Sequence, residues 1–213
     1  MNVKITKRIL SGALAVALVM APSVGAFAST NSAATAPTTT VETSAPAVVD
    51  PFKDVKTTST VAGVQSTVKG AYVLEKGVAA AITTPTASIA QSYAFAAGET
   101  PYVKVFDMDV KKSNLAKASL DIAAAAYGGT NVAFIQMEFG KMSGGQYTLL
   151  PAGAGIAATF SIPGAAQVAG ARYAVVRVVE GGAFTLLEDT DSNPATVSFV
   201  TTGGAGAYSI IMY

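Results

Sequence analysis

The sequence predicts a mainly β α+β fold, in which an antiparallel β-sandwich-like domain carries two short helices in its first half. Two observations lead to this fold class. Short runs of alternating apolar and polar residues follow one another between Gly, Asp, Asn and Pro, which is typical of half-buried antiparallel strands. Two other segments repeat apolar residues every three or four positions, which is the period of a helix.

The amino-terminal residues are typical of a secretory signal peptide, which we place at residues 1–28. Lys4, Lys7 and Arg8 form a basic start, and residues 9–20 form an apolar stretch that is too short to span a bilayer. Residues 26–28, Ala-Phe-Ala, put small side chains at the two positions that signal peptidase recognises. We therefore expect cleavage after Ala28, export, and no membrane insertion after cleavage.

Residues 29–65 are predicted to be a disordered spacer. The stretch 29–49 consists almost entirely of Ser, Thr, Ala, Pro and Val, which bury too little apolar surface to offset the entropy lost on ordering. The remaining residues, 66–213, have a length that suits one β-sandwich-like domain with one core.

The first elements of this domain are a predicted hairpin and a predicted helix. Residues 71–74 and 78–83 flank a Lys-Gly turn signal and predict two paired strands. Ile89, Tyr93 and Ala97 recur at helical spacing, and Gly98 stands where a helix C-cap belongs. We therefore expect a short helix that ends at Gly98.

A strand and a second helix come next. Residues 101–106 alternate as a strand does. In the following segment four residues share one helical face: Leu115, Ser119, Ile122 and Ala126. The alanine run 123–126 favours a helix that packs closely, because alanine is both a strong helix former and small. Two glycines, at positions 128 and 129, end the predicted helix.

From residue 131 onward the sequence predicts strands alone. Ile135, Met137 and Phe139 point one way, while Gln136 and Glu138 point the other. Further strands are predicted at residues 147–150, 158–162, 173–178, 184–187, 196–201 and 208–213. Gly-rich turns separate these strands, which is typical of a sandwich or barrel. We interpret the last forty residues as half of a sandwich.

Composition excludes several classes of function. The sequence has no cysteine and no histidine, which excludes disulfides, a lipid-modified cysteine, and hydrolases of the Ser-His-Asp or Cys-His type. Loss of residues 1–28 lowers Lys plus Arg from 14 to 11 while Asp plus Glu stays at 13. The mature chain then carries a net charge of about −2 with scattered charges, which argues against nucleic-acid binding. We expect no cofactor.

Two short motifs suggest enzymes but lack the required context. Ser66 and Lys69 fit the S-x-x-K pattern, which needs a helix that begins at the serine, yet strand-like residues follow. Residues 153–158 fit G-x-G-x-x-A, which needs a helix after the glycines to bind pyrophosphate. The residues after these glycines alternate as a strand does, so a loop is the better interpretation.

Acidic residues offer a weak calcium candidate and a weaker catalytic one. Asp189, Asp191 and Asn193 resemble the opening of a calcium loop, but Pro194 and Val200 replace the glycine and glutamate that an EF-hand requires. A polar turn between two strands explains the three residues equally well. A second group could supply the paired carboxylates of a glycosidase: Asp107, Asp109, Asp121 and Glu138. Asp109 is more simply explained as the N-cap or a first-turn residue of the second helix.

Tyrosine is the remaining candidate for ligand recognition. Sugar-binding sites use flat aromatic rings, and the chain has no tryptophan. Five tyrosines could replace it, since each offers a ring face and a hydroxyl: Tyr72, Tyr102, Tyr127, Tyr147 and Tyr173. Most of them occupy strand patterns and are also explained as core or sheet-surface residues.

Several segments resemble a β-rich module that is common near the carboxyl ends of exported clostridial-type proteins: residues 173–178, 186–189, 196–199 and 207–211. With the starting residues 66–70 and the glycine-rich residues 203–208, the chain is similar over residues 66–213 to a group of small secreted proteins of Gram-positive anaerobes. The resemblance implies a β-sandwich-like domain, export and a non-enzymatic role, and it assigns no catalytic residue.

The sequence thus predicts an exported, non-catalytic protein of the extracellular space or cell surface with a binding or structural role. Its expected partner is an extracellular protein or a glycan. Two alternatives stay open: a glycan- or peptidoglycan-binding module that uses a tyrosine face, and, less favoured, an extracellular hydrolase that uses carboxylates alone.

Overall fold

A computed structural model of the chain describes residues 55–75 and 77–213. The predicted signal peptide, residues 1–28, lies outside the described residues, as do residues 29–54 of the predicted spacer.

Strands dominate the described residues. The strands are β1 (Thr60–Val61), β2 (Val64–Gln65), β3 (Gly70–Val73), β4 (Ala80–Ile82), β5 (Thr100–Asp107), β6 (Thr130–Ser143), β7 (Gln146–Leu149), β8 (Gly155–Ser161), β9 (Tyr173–Val178), β10 (Phe184–Glu188), β11 (Thr196–Thr202) and β12 (Gly204–Met212). The helices are α1 (Thr86–Ser92) and α2 (Asn114–Ala126), and a single 3₁₀ turn spans Gly164–Ala166.

The strands build two sheets that face each other. Six strands of the large sheet follow the order β10-β9-β12-β6-β5-β3, and β7 pairs with the carboxyl-terminal end of β6. The small sheet has the order β11-β8-β4. Among the described strands, β3 and β5 pair in parallel and all other pairs are antiparallel. The first two strands form a separate hairpin.

The main core lies between the two sheets. Ile135 and Phe139 of β6 enter it from the large sheet, and Phe160 and Phe199 enter it from the small sheet. The rings of Phe160 and Phe199 lie 4.9 Å apart. Tyr208 of β12 completes this aromatic cluster, with its ring centre 6.3 Å from each of the two. The two edge-on contacts, of Phe160 with Phe199 and with Tyr208, add to the stabilisation that burial provides.

A second core lies on the other face of the large sheet, under α2. Leu120, Ala123 and Ala124 of the helix pack against strand residues that include Val176 and Ile211. The two alanines are small enough to let the helix approach the sheet closely. The protein therefore has three layers, α2, the large sheet and the small sheet, and the predicted mainly β, α+β sandwich-like class is confirmed.

Residues 55–65 differ from the prediction, because they fold with the domain and do not continue the spacer. The backbone N–H of Gly70 donates to the Thr57 carbonyl, and that of Tyr72 donates to the Lys56 carbonyl, both at 3.0 Å. Val61 is 1% exposed and belongs to the core. These residues extend the edge of β3 and bury an apolar side chain, which composition alone did not indicate.

The predicted hairpin of residues 71–74 and 78–83 is wrong. The first segment forms β3, which pairs with β5 in the large sheet. The second forms β4, which pairs with β8 in the small sheet. The chain therefore crosses between the sheets at this turn, and two neighbouring strands need not pair with each other even when a turn signal separates them.

Helix α1 forms but ends earlier than predicted. Its last residue is Ser92, and Ala94 adopts the left-handed conformation with φ 50°. The N–H of Phe95 then donates to the Ala90 carbonyl at 2.9 Å, which closes the helix as a Schellman motif does. An alanine thus takes the position that we predicted for Gly98.

Helix α2 ends as predicted, but the face with the predicted periodicity does not pack. Gly128 has φ 70° and follows Tyr127, the C-cap residue of the helix. Leu115 and Ile122, which define the predicted face, are 58% and 65% exposed. Neither helix of the described residues is long and apolar enough to cross a membrane.

The carboxyl-terminal strands form close to their predicted positions but do not make up half of a sandwich. β9, β10 and β12 lie in the large sheet, whereas β11 lies in the small sheet. Val197 and Phe199 of β11 are buried, as their alternation predicts. The interpretation failed because alternation shows which face of a strand is buried and not which sheet the strand joins.

Candidate functional site

Helix α2 covers only part of the outer face of the large sheet. Its contacts are with β9, β10, β12 and the first half of β6. The rest of that face, formed by β3, β5, β7 and the second half of β6, has no helix above it among the described residues. Within the described part of the chain, this uncovered area is the part of the sheet that can meet a ligand.

Aromatic and charged side chains alternate outward on this area. On β5, Val103 and Val105 enter the core, so the residues beside them face outward. The antiparallel register sets Lys104 opposite Glu138 and Phe106 opposite Gln136. We call six residues the open face: Tyr102, Lys104, Phe106, Gln136, Glu138 and Tyr147.

Lys104 is the centre of the open face. Its Nζ lies 3.6 Å from Glu138 Oε2 and 3.8 Å from the centre of the Tyr147 ring. The Tyr147 ring in turn meets the Tyr102 ring edge-on at 6.0 Å. Both charged side chains remain partly exposed, at 33% for Lys104 and 24% for Glu138. The ion pair therefore contributes modestly to stability and keeps donors and acceptors available to a ligand.

Tyr147 lies against the sheet because Gly140 makes room for it. A Cβ on Gly140 would overlap the Tyr147 ring and the Thr148 carbonyl. The Tyr147 hydroxyl is buried and has no hydrogen-bond partner. Burial, and next the nearby negative charge of Glu138, raise the pKa of Tyr147 well above its ordinary value. The phenol is therefore neutral, and it is fixed in place by shape.

A shallow cavity of about 360 Å³ opens beside Lys104, between β5 and the segment that precedes β1. Its walls combine apolar and charged groups: Val55, Thr57, Ala71, Tyr102, Lys104, Phe106 and Glu138. A volume in this range suits a small ligand or one unit of a polymer. Tyr102 and Phe106 stand at its two ends, about 13 Å apart by the rise of a strand.

The structure brings together two of the five predicted tyrosines. Tyr102 and Tyr147 share the open face. Tyr72 and Tyr173 are 4% and 7% exposed and belong to the core. Tyr127 lies at the end of α2, with its ring 6.0 Å from that of Phe184. A single face with all five tyrosines therefore does not form.

Lys104, Phe106 and Gln136 are the members of the open face that no sequence motif singled out. The alternation of residues 101–106 placed Phe106 on the side of Lys104, and the alternation of β6 placed Gln136 on the side of Glu138. The missing information was that β5 pairs with β6, because α2 separates the two strands in the chain.

The calcium candidate forms three successive Asx turns. In each turn the side-chain Oδ1 accepts a hydrogen bond from the backbone N–H two residues later, at 2.7–3.1 Å. The three pairs are Asp189 with Asp191, Asp191 with Asn193, and Asn193 with Ala195. Burial raises the pKa of Asp189 against the opposing effect of the Ser198 and Asp191 N–H groups that donate to its carboxylate, which disfavours the ionised form that a cation needs. Within the described residues no three His, Cys, Asp or Glu side chains gather as a metal site would require. Calcium binding here stays a prediction.

The S-x-x-K and glycine motifs have structural roles in the fold. Ser66 is 8% exposed, and no helix begins there, because Lys69 leads directly into β3. Its Oγ lies 2.6 Å from the Tyr72 hydroxyl and accepts from the Ile82 N–H at 3.0 Å. Of the glycine motif, residues 155–158 lie in β8, and no helix follows the glycines.

The four predicted carboxylates hold separate positions. Asp107 accepts from the Glu75 N–H at 2.7 Å, and Asp121 pairs with Lys117 at 2.6 Å. Asp109 accepts from the N–H groups of residues 111 and 112, and these bonds hold the pKa of its carboxyl below the ordinary value. It caps the turn before α2 and does not belong to the helix, whose N-cap residue is Ser113.

The chain matches no family model, no curated protein and no solved structure.

Proposed function

We propose that the protein is an exported, non-catalytic module that binds a glycan of the extracellular space or cell surface on its open face. The observation that carries the proposal is the half-covered outer sheet. α2 leaves uncovered the part of the face on which Tyr102 and Phe106 flank the Lys104–Glu138 ion pair.

This arrangement suits the chemistry of a sugar. The C–H groups on the face of a pyranose ring pack well on an aromatic ring. The hydroxyls of the sugar need both hydrogen-bond donors and acceptors. Tyr102 and Phe106 offer the apolar surfaces, and both are half-buried, so their positions are fixed. Lys104 offers donors, while Glu138 and Gln136 offer acceptors, between the two rings.

Two further observations favour binding over catalysis. The chain has neither histidine nor cysteine, and the carboxylates Asp107, Asp109 and Glu138 are each held by a different partner. The signal-like residues 1–28 favour an extracellular ligand. Retention at the cell surface and release from the cell are both compatible with this proposal.

A glycan array, followed by titration with the best soluble oligosaccharide, tests the proposal. We expect Tyr102→Ala and Phe106→Ala each to weaken binding at least about tenfold, which corresponds to about 1.4 kcal/mol. Tyr127→Ala and Phe184→Ala are matched controls, because these exposed aromatic residues lie outside the open face. An array without hits, or a bound glycan that tolerates both open-face substitutions, would refute the proposal.

A further inference from the structure

The solvent side of α2 carries an apolar seam. Leu115 is 58% exposed and Ile122 is 65% exposed, although both are large apolar residues. Ala118 lies between these two residues and Ala125 lies beyond Ile122, both on the same exposed side of the helix. We call these four residues the α2 seam. The opposite side of the helix is already buried on the large sheet through Leu120, Ala123 and Ala124, so the seam has no partner among the described residues.

The seam has the spacing of a coiled-coil contact. Its residues follow one another at intervals of three, four and three, which are the a and d positions of successive heptads. A narrow stripe with this period is the type that faces a second helix, whereas a helix packed on a sheet uses a broader stripe. α2 therefore presents one apolar face to the sheet and a second face suited to another helix.

The sizes of the seam residues are complementary under a two-fold rotation. Along the sequence, Leu115 and Ala125 lie equally far from Leu120 on its two sides, and so do Ala118 and Ile122. In an antiparallel pair of α2 helices centred at Leu120, each large residue therefore meets an alanine of the other copy. Such alternation lets two helices pack closely without voids or overlap. A two-fold interface needs this kind of self-complementarity.

Charge supports the same antiparallel orientation. Lys111 and Lys112 are exposed just before the first residue of α2. The last turn of the helix carries no basic residue, and its carbonyl end has a partial negative charge. An antiparallel pair sets Lys111 of each copy, which makes no ion pair among the described residues, near the carboxyl end of the other helix. A parallel pair would set the two Lys111 side chains together instead, whereas Lys112 is already paired with Asp109 at 3.4 Å.

We propose that two copies of this chain associate through an antiparallel contact of their α2 helices. The helix has 13 residues and is about 20 Å long, so the seam alone buries less than the area of about 800 Å² per partner that is usual in stable complexes. The dimer is therefore weak, with a Kd between about 10 μM and 1 mM.

Sedimentation equilibrium of the purified chain across this concentration range tests the association. We expect reversible dimers, and we expect Ile122→Lys to raise the Kd at least about tenfold, because it sets a charge into the apolar contact. Val200→Lys is the matched control, since Val200 is 51% exposed on β11 and outside the seam. A monomer at 1 mM, or a dimer that Ile122→Lys leaves intact, would overturn the proposal.

Engineered cysteines test the orientation, because the chain has no cysteine of its own. We expect a mixture of Leu115→Cys and Ala125→Cys chains, one of them tagged, to form a mixed disulfide under mild oxidation. Neither variant alone should cross-link, because like positions in the antiparallel pair lie about 15 Å apart along the helix axis, beyond the reach of a disulfide. Self-linking of Leu115→Cys at an equal rate would show a parallel contact and refute the antiparallel one.

Discussion

At the scale of single residues, tyrosine hydroxyls tie the two sheets together. The Tyr72 hydroxyl on β3 lies 2.6 Å from Ser66 Oγ, which in turn accepts from the Ile82 N–H on β4. The Tyr208 hydroxyl on β12 lies 2.9 Å from Thr201 Oγ1 on β11. Each link joins the large sheet to the small one through buried polar atoms that satisfy one another. A chain without cysteine thus gains specific cross-connections inside an otherwise apolar core.

Ionisation of Tyr72 lowers the stability of the folded protein at alkaline pH. Burial raises its pKa to about 12, above the value of about 10 in an unfolded chain. The folded state therefore holds the phenolic proton more tightly, so this stabilisation is complete below pH 10 and is lost as the pH rises towards 12. Two pKa units correspond to roughly 3 kcal/mol of unfolding free energy.

The variant Tyr72→Phe separates this effect from general alkaline unfolding. The ring remains but cannot ionise, so we expect its unfolding free energy to fall less between pH 9 and pH 12 than that of the wild type. At pH 7 the variant should be about 1 kcal/mol less stable, because the hydroxyl also donates to the Val68 carbonyl. Urea unfolding across this pH range measures both quantities. Equal alkaline losses in the two chains would contradict the assignment to Tyr72.

At the scale of elements, the turn that closes helix α1 contains a residue that is poorly suited to its backbone conformation. Ala94 has φ 50°, a region that costs an alanine about 1 kcal/mol more than a glycine. The capping bond from Phe95 to Ala90 holds it there. The helix end therefore stores strain that a glycine would relieve.

Two glycine substitutions, one inside α1 and one just after it, should act with opposite signs. We expect Ala94→Gly to raise the unfolding free energy by about 0.5–1 kcal/mol, because it removes the strain. Ala90→Gly, inside the helix, should lower it by a similar amount, because glycine is a poor helix former. Thermal unfolding of both variants measures the difference. A loss of stability in Ala94→Gly would show that its side chain contributes packing that outweighs the strain.

The elements also show what the sequence could and could not predict. Alternation placed Val103 and Val105 in the core and therefore Lys104 outside, because a strand has only two sides. It gave no pairing partner, so β3 and β4 were joined wrongly and the contact of β5 with β6 was missed. In α2, Leu115 and Ile122 suggested the buried face, whereas the sheet packs against Ala123 and Ala124. Helical periodicity identifies an apolar face but not what covers it.

At the scale of the whole molecule, α2 separates two surfaces with different properties. Its inner side covers one part of the large sheet and leaves the open face beside it. Its outer side carries the seam, whose residues Leu115 and Ile122 take no part in the open face. The proposed dimer, formed through the α2 seam, presents two open faces. Two weak glycan contacts on one particle then act together on a surface that bears many copies of the ligand.

This combination predicts that Ile122→Lys changes binding to a glycan-coated surface but not binding to a soluble oligosaccharide. The substitution lies outside the open face, so titration calorimetry with the oligosaccharide should give the same Kd as for the wild type. On an immobilised polymer of the same sugar, the apparent affinity should fall at least about tenfold, because the second contact of each dimer is lost. Val200→Lys should behave as the wild type in both assays. If Ile122→Lys abolishes dimers and still binds the surface with full affinity, each open face acts alone, and the seam serves a purpose other than multivalent binding.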